Sequence, residues 1–126
     1  MKIYKTEDIR NIAIVGGSGS GKTTLTESIL FEAGVIKRRG SVNSKNTVSD
    51  TAAVELEYGY SVYSTVFSVE MFGKKFNFFD CPGADDFSGQ AVTALNICDS
   101  AVLLENGSRG IDVGLINNYR LIKKLG

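Results

Sequence analysis

The sequence predicts an α/β fold: a three-layer protein with a mostly parallel sheet and one antiparallel hairpin. Two observations support this prediction. A glycine-rich loop over 16–23 lies between an apolar run and a helical segment, and short runs rich in β-branched and aromatic residues alternate with amphipathic segments along the rest of the chain. In such folds the ligand lies at the carboxyl ends of the parallel strands.

The first elements follow from local patterns. The apolar run Ile12–Val15 predicts a short buried strand, and the segment after the loop predicts a helix over about 23–33 that stops at Ala33-Gly34. The polar stretch from Val35 to about Tyr60 predicts a long loop, which in a compact domain usually serves function.

A hairpin is predicted next. Its strands cover 62–72 and 75–79, joined by a tight turn at Gly73-Lys74. The phenylalanines of this region are expected to be core residues: Phe67, Phe72, Phe76, Phe78 and Phe79.

The last third of the chain predicts a helix, a strand and a second helix. The helix covers about Phe87 to Asn96, the strand Ala101–Leu104 is short and buried, and the final helix covers Ile111–Leu125. The final helix carries its apolar stripe at Val113, Ile116, Tyr119, Leu121, Ile122 and Leu125. Asp112 near its start and Lys123-Lys124 at its end suit the helix dipole.

Composition sets limits on location and chemistry. The 126 residues carry a formal net charge of zero, so no overall field draws the chain to nucleic acid or to a membrane, and we expect no sequence-specific nucleic acid partner. No segment approaches the ~18 apolar residues of a membrane span, and the N-terminus has no signal-peptide core, so we expect a cytoplasmic protein. The absence of histidine excludes Ser-His-Asp and Cys-His catalysis. Cys81 and Cys98 lack the spacing of metal ligands and are expected to be reduced.

The glycine-rich loop has the pattern of a phosphate-binding loop, Gly-x4-Gly-Lys-Thr. Its glycines adopt backbone conformations closed to other residues, so consecutive N–H groups can point at one anion, and the following helix adds its first amides and its dipole. We predict that Lys22 reaches the β- and γ-phosphates and that the Thr23 hydroxyl coordinates Mg²⁺. The predicted nucleotide-binding residues here are Gly16, Gly17, Ser18, Gly19, Ser20, Gly21, Lys22, Thr23 and Thr24.

A second motif, Asp80-Cys81-Pro82-Gly83, follows an apolar strand. Asp80 is predicted to lie beside the phosphate loop and to hold Mg²⁺ through water. The backbone N–H of Gly83 can donate to the γ-phosphate, and a glycine lets this segment change conformation when that phosphate leaves. Kinases and transport ATPases share the strand aspartate, whereas Asp-x-Pro-Gly is typical of GTPase switches.

These motifs, together with Ile9–Val15 and Asp99–Val102, resemble the GTP-binding domain of translation elongation factor G along almost the full chain. The resemblance implies GTP or GDP and Mg²⁺ as ligands, the ribosome as partner and a translocation-type role in the cytoplasm. It places Ser61 at the position of the family's Mg²⁺-coordinating threonine. It also implies that residues 1–126 are a single incomplete GTP-binding domain, the N-terminal part of a longer factor whose remaining domains follow Gly126.

Three departures from the family pattern affect mechanism. The loop has Gly17 and Gly19 where the family commonly has His and Asp, and Tyr58 and Tyr60 replace the switch arginine and isoleucine. The third departure is Ala84, which stands where the family has the histidine that orients the attacking water, and loss of such a group typically costs on the order of 10²–10⁴ in rate. We therefore expect GTP binding with impaired hydrolysis and assign no catalytic residue. The family's guanine-selecting motif, Asn-Lys-x-Asp, does not occur up to Gly126, so the choice of GTP over ATP rests on resemblance.

Two other functions stay open at this point. The Gly17–Ser20 stretch is compatible with a P-loop ATPase or a small-molecule kinase fragment. A non-hydrolysing interaction module that has lost its nucleotide is the second alternative, and the intact Lys22 and Thr23 argue against it.

Overall fold

The computed structural model describes residues 2–37, 65–82 and 88–126. A 3₁₀ turn at Thr6–Asp8 precedes the first strand. The strands are β1 Ile9–Gly16, β2 Thr65–Met71, β3 Lys74–Asp80 and β4 Ser100–Leu104. The helices are α1 Lys22–Glu32, α2 Ser88–Ile97 and α3 Val113–Leu125.

The four strands form one sheet in the order β2-β3-β1-β4. β1 pairs in parallel with both β3 and β4, and β2 pairs antiparallel with β3, which confirms the predicted mostly parallel sheet with one hairpin. Because Ile14 pairs with Asp80 and Gly16 with Leu104, the carboxyl ends of the three parallel strands meet at one edge. The phosphate loop leaves β1 at this edge, between its two neighbours.

The core has two parts, one on each face of the sheet. Ala13 and Val15 pack with Cys81 and two alanines of α2, whereas Ile14 packs with Leu30 of α1 and with the hairpin. Successive residues of a strand point to opposite faces. The end of β1 is therefore apolar on both sides, and the continuous apolar run predicted from the sequence has helices on both faces.

The hairpin turn differs from the prediction. Met71 pairs with Lys74, so the turn residues are Phe72 and Gly73, with φ of 54° and 73°, and not Gly73-Lys74. Positive φ at both central positions matches the twist of the flanking strands. Phe72 is 90% exposed, so its assignment to the core was wrong. Phe67 and Phe78 are buried and stacked with ring centroids 5.1 Å apart.

The prediction of a buried final strand was also wrong. Among the described strands β4 lies at the edge of the sheet beyond β1, and Val102 is 40% exposed. The half-buried apolar residues of α3 are Leu115, Leu121 and Ile122, whereas Val113 is 72% exposed. Among the described elements, α3 packs mainly against α2, β1 and β4.

The ends of α3 agree with the sequence. Asp112 caps the helix, since its side chain accepts a hydrogen bond of 2.7 Å from the Leu115 N–H, and Lys123 and Lys124 lie in the last turn. No helix in the described parts of the chain is both long enough and apolar enough to cross a bilayer.

A candidate nucleotide-binding site at the carboxyl edge of the sheet

The glycines of the loop differ in the structural reason for having no side chain. At Gly16 an added Cβ would lie 2.4 Å from the Leu104 carbonyl oxygen and 2.6 Å from Ser20 Oγ, so no side chain fits there. Gly19 and Gly21 have φ of 75° and 96°, a region that other residues rarely adopt. Neither Gly16 nor Gly17 has a positive φ, so the expectation that every loop glycine adopts a conformation closed to other residues was wrong at both positions. Gly17 also has open space around it.

Lys22 holds the two sides of the loop together. Its side chain is almost fully buried, with 6% exposed, and its Nζ donates hydrogen bonds of 2.9 Å to the carbonyl oxygens of Gly16 and Gly17. A backbone hydrogen bond of 3.2 Å from Ser20 N–H to the Gly17 carbonyl closes a turn in the same loop. These bonds place a cationic ammonium against the loop backbone and define the loop's shape.

The first turn of α1 has no side-chain cap. Gly21 is the N-cap residue, and it has no side chain that could accept hydrogen bonds from the first-turn amides. The Leu25 N–H donates a hydrogen bond of 2.9 Å to the Gly21 carbonyl, and in any α-helix the N–H groups of the first turn have no acceptor within the helix itself. An anion at a helix N-terminus supplies that acceptor.

Oxygen ligands suitable for Mg²⁺ lie behind the loop. Asp80 ends β3 with only 2% of its surface exposed, and its Oδ2 accepts a hydrogen bond of 2.9 Å from the hydroxyl of the fully buried Thr26. Thr26 is one turn beyond Thr23 on the same face of α1, and Thr23 is itself buried, with 9% exposed.

This donor set fits the predicted ion. Hydroxyl and carboxylate oxygens are the ligands of a hard cation, and Mg²⁺ usually takes its remaining ligands from phosphate and water. Within the described residues no group of three or more His, Cys, Asp or Glu side chains could hold a metal. If Mg²⁺ binds here, these oxygens would be part of its coordination shell, and phosphate and water would supply the other ligands.

Sequence reasoning missed a second contact to the loop. The Arg109 guanidinium donates a hydrogen bond of 2.9 Å from Nη1 to the Ser18 carbonyl, and Asn106 Nδ2 lies 3.5 Å from the Gly19 carbonyl. Both residues follow β4, and no motif or spacing in the sequence indicates them. Thr26 was missed as well, although its place one turn after Thr23 is a signal that could have identified it.

The described residues bring the loop, the start of α1 and Asp80 together at one edge of the sheet. Three other positions singled out from the sequence, Ser61, Gly83 and Ala84, lie outside the described residues. The described part of the site consists of the phosphate loop, α1, the end of β3 and the turn after β4.

Comparison with known proteins extends the argument beyond geometry. The elongation factor Tu GTP-binding domain family matches residues 7–126. The chain is 36% identical over 126 residues to peptide chain release factor 3 of Lactobacillus acidophilus, covering 97% of this chain and 24% of that protein. It is 40% identical over 98 residues to an elongation factor G-like protein of Synechocystis, covering 78% of this chain and 15% of that protein.

Solved structures agree in fold. A crystal structure of a Thermus thermophilus protein superposes with a TM-score of 0.89 at 34% identity, over 94% of this chain and 18% of that one. A bacterial selenocysteine-specific elongation factor superposes with a TM-score of 0.68 at 20% identity, over 89% of this chain and 17% of that one, which bears on the fold alone.

The chain thus spans a quarter or less of each relative's length. Its phosphate loop between β1 and α1, the aspartate at the end of β3 and the match over residues 7–126 agree with one another. The chain belongs to the elongation factor Tu GTP-binding domain family and is a GTP-binding domain of the translational GTPase class that includes elongation factor G-like proteins and release factor 3.

Proposed function

We propose that this chain is the guanine-nucleotide switch domain of an elongation factor G-like translation factor that acts on the ribosome. The observation that carries the proposal is the position of Lys22, whose ammonium lies across the loop backbone at 2.9 Å from two carbonyls, next to amides at the start of α1. This arrangement serves the tail of a nucleoside di- or triphosphate.

In this proposal each part of the site has one task. The backbone N–H groups over 16–24 and the Lys22 ammonium hold the phosphates, and Gly83 contacts the γ-phosphate. Thr23, Ser61 and Asp80 would hold Mg²⁺, which would neutralise negative charge on the phosphates. Thr26 keeps the Asp80 carboxylate oriented through its hydrogen bond of 2.9 Å.

The phosphate tail is expected to dominate affinity, because the described contacts lie at the phosphate end of the site. The assay measures the concentration of each nucleotide that displaces fluorescent GDP from the full-length protein. For GDP this concentration should be at least about 100-fold lower than for GMP, which corresponds to about 3 kcal/mol of binding free energy. It should also be lower for GDP than for ADP. Equal competition by ADP would favour the P-loop ATPase or kinase. If no nucleotide raises the melting temperature with Mg²⁺, the chain is a non-hydrolysing interaction module.

We further propose that GTP turnover is slow because Ala84 lacks a side chain that could orient water. Phosphoryl transfer depends on positioning and electrostatics, so this loss acts on hydrolysis and leaves nucleotide binding intact. Mutation of Ala84 to His should raise ribosome-stimulated phosphate release by on the order of 10²-fold or more, with GDP affinity unchanged. Stopped-flow phosphate detection measures the rate, and fast release by the unmodified protein would refute the slow-turnover proposal.

The same assay separates two steps of translation. The elongation factor G-like relative supports a translocation-type role, in which pre-translocation ribosomes stimulate release. The release factor 3 relatives support a role in termination. In that case phosphate release should be stimulated more strongly by termination complexes, which are ribosomes that still hold a release factor after the peptide has left. We propose the translocation-type role, and preferential stimulation by termination complexes would overturn it.

A further inference from the structure

We propose that Arg109 is a positioning residue for the phosphate loop: it holds the Ser18 carbonyl outward and so directs the Gly19 N–H toward the bound phosphate. The inference rests on the proposed nucleotide-binding function and adds a residue from outside the loop to its machinery. It is carried by a compact turn after β4 and by the contacts that this turn makes.

The turn is stabilised by hydrogen bonds of its own. The Asn106 side-chain oxygen Oδ1 accepts from the Ser108 N–H at 3.0 Å and from the Ser108 hydroxyl at 2.7 Å. The Arg109 N–H donates to the Asn106 carbonyl at 2.9 Å, and the Asn106 N–H donates to Glu105 Oε1 at 2.8 Å. Asparagine and serine side chains that bind nearby backbone groups in this way favour turns. These hydrogen bonds therefore fix the backbone position from which the Arg109 side chain extends.

The guanidinium lies directly against the loop. Its Nη1 donates to the Ser18 carbonyl at 2.9 Å, and its Nη2 lies 3.2 Å from the position that a Cβ at Gly19 would occupy. Asn106 Nδ2, from the same turn, lies 3.5 Å from the Gly19 carbonyl. Two consecutive carbonyls of the loop thus face donors on the turn after β4.

The planarity of the peptide bond links this contact to the binding side. In a trans peptide the C=O of one residue and the N–H of the next point in opposite directions. A Ser18 carbonyl held toward Arg109 therefore directs the Gly19 N–H away from Arg109, to the opposite side of the loop. Anion-binding loops depend on such N–H groups converging, so Arg109 contributes to affinity without touching the ligand.

The glycine at position 19 fits this arrangement for two independent reasons. Its φ of 75° disfavours other residues, and a side chain there would crowd the guanidinium. Arg109 and Gly19 form a matched pair, although 90 residues of sequence separate them.

The test compares Arg109→Ala, Arg109→Lys and the control Arg120→Ala, an exposed arginine on α3. The readouts are the dissociation constant of fluorescent GDP, the melting temperature and the ¹⁵N–¹H resonance of the Gly19 amide before nucleotide is added. We expect Arg109→Ala to weaken GDP binding about three- to tenfold and to shift the Gly19 resonance. The Gly34 resonance and the melting temperature of Arg109→Ala should stay at wild-type values. The Arg120→Ala control should match the wild type in all three readouts.

Arg109→Lys should recover part of the affinity and of the Gly19 shift, because an ammonium can donate to one carbonyl but lacks the planar fork of arginine. If Arg109→Ala melts at a lower temperature, the lysine variant provides the test. Partial recovery of its GDP affinity and of its Gly19 resonance would support the inference, and no recovery of either would contradict it. Wild-type affinity together with an unmoved Gly19 resonance in Arg109→Ala would overturn the inference. Failure of the unmodified protein to bind guanine nucleotide would refute the proposed function instead, and the Gly19 resonance would still report on the Arg109 contact.

Discussion

Replacement of Lys22 by methionine is expected to weaken GDP binding by about 100-fold or more. Methionine keeps an unbranched side chain as far as Cε but lacks the ammonium group that lies 2.9 Å from the Gly16 and Gly17 carbonyls. Removing one partner of a close, desolvated charge contact typically costs about 2–5 kcal/mol, and about 1.4 kcal/mol corresponds to a factor of ten in affinity. The position is almost fully buried, with 6% exposed, so water replaces the lost ammonium poorly.

Isothermal titration with GDP and Mg²⁺ measures this effect directly. Lys37→Met is the matched control, because Lys37 is an exposed lysine shortly after α1 and should bind GDP like the wild type. A second readout is thermal: excess GDP should raise the melting temperature of the wild type and of Lys37→Met but not of Lys22→Met. A Lys22→Met variant whose dissociation constant lies within about threefold of the wild-type value would contradict the role assigned to this side chain.

Replacement of Gly16 by alanine is expected to destabilise the fold, whereas the same change at Gly17 should be tolerated. The new methyl group at position 16 would lie 2.4 Å from the backbone carbonyl oxygen of Leu104, the residue that pairs with Gly16 across β1 and β4. A backbone neighbour cannot move aside as a flexible side chain can, so the strands must separate locally. Overpacking of this kind costs about 1–3 kcal/mol and occasionally more.

Circular dichroism melting curves measure the difference between the two variants. A loss of about 2–3 kcal/mol lowers the melting temperature of a domain of this size by roughly 10 °C. Gly17 has no atom within 4 Å of an added Cβ, so Gly17→Ala should melt within a few degrees of the wild type or slightly higher, because alanine restricts the unfolded chain. Equal melting temperatures for the two variants would show that the close approach at Gly16 is relieved at little cost.

These two experiments separate packing from ligand chemistry within one loop. Gly16→Ala acts mainly on folding through the β1–β4 pair, whereas Lys22→Met acts mainly on binding through charge. Gly17→Ala is the control in the same loop, because its added methyl group neither clashes with the backbone nor removes a charge. The three substitutions therefore separate the loop's contribution to folding from its contribution to nucleotide binding.

The parts of the fold that sequence reasoning predicted are those whose signals are local. The apolar run before Gly16, the glycine pattern and the following helix lie within about 20 residues, and each is dictated by backbone freedom and hydrophobic periodicity. The mostly parallel sheet followed from the alternation of strands and helices. The exposed turn at Phe72 was not predicted, because a β-favouring phenylalanine gives no local sign that the register ends at Met71.

The contacts that complete the candidate site were beyond local reasoning. Thr26 and Asp80 are separated by 54 positions and Arg109 and Ser18 by 91. Such pairs meet only because β3 and β4 both run parallel to β1 and end at the same edge of the sheet. The chain's own residue order thus determined that a phosphate loop is present between β1 and α1, since backbone freedom and charge are properties of neighbouring residues. Which distant side chains orient that loop follows from strand order and register, since these bring remote segments within hydrogen-bonding distance.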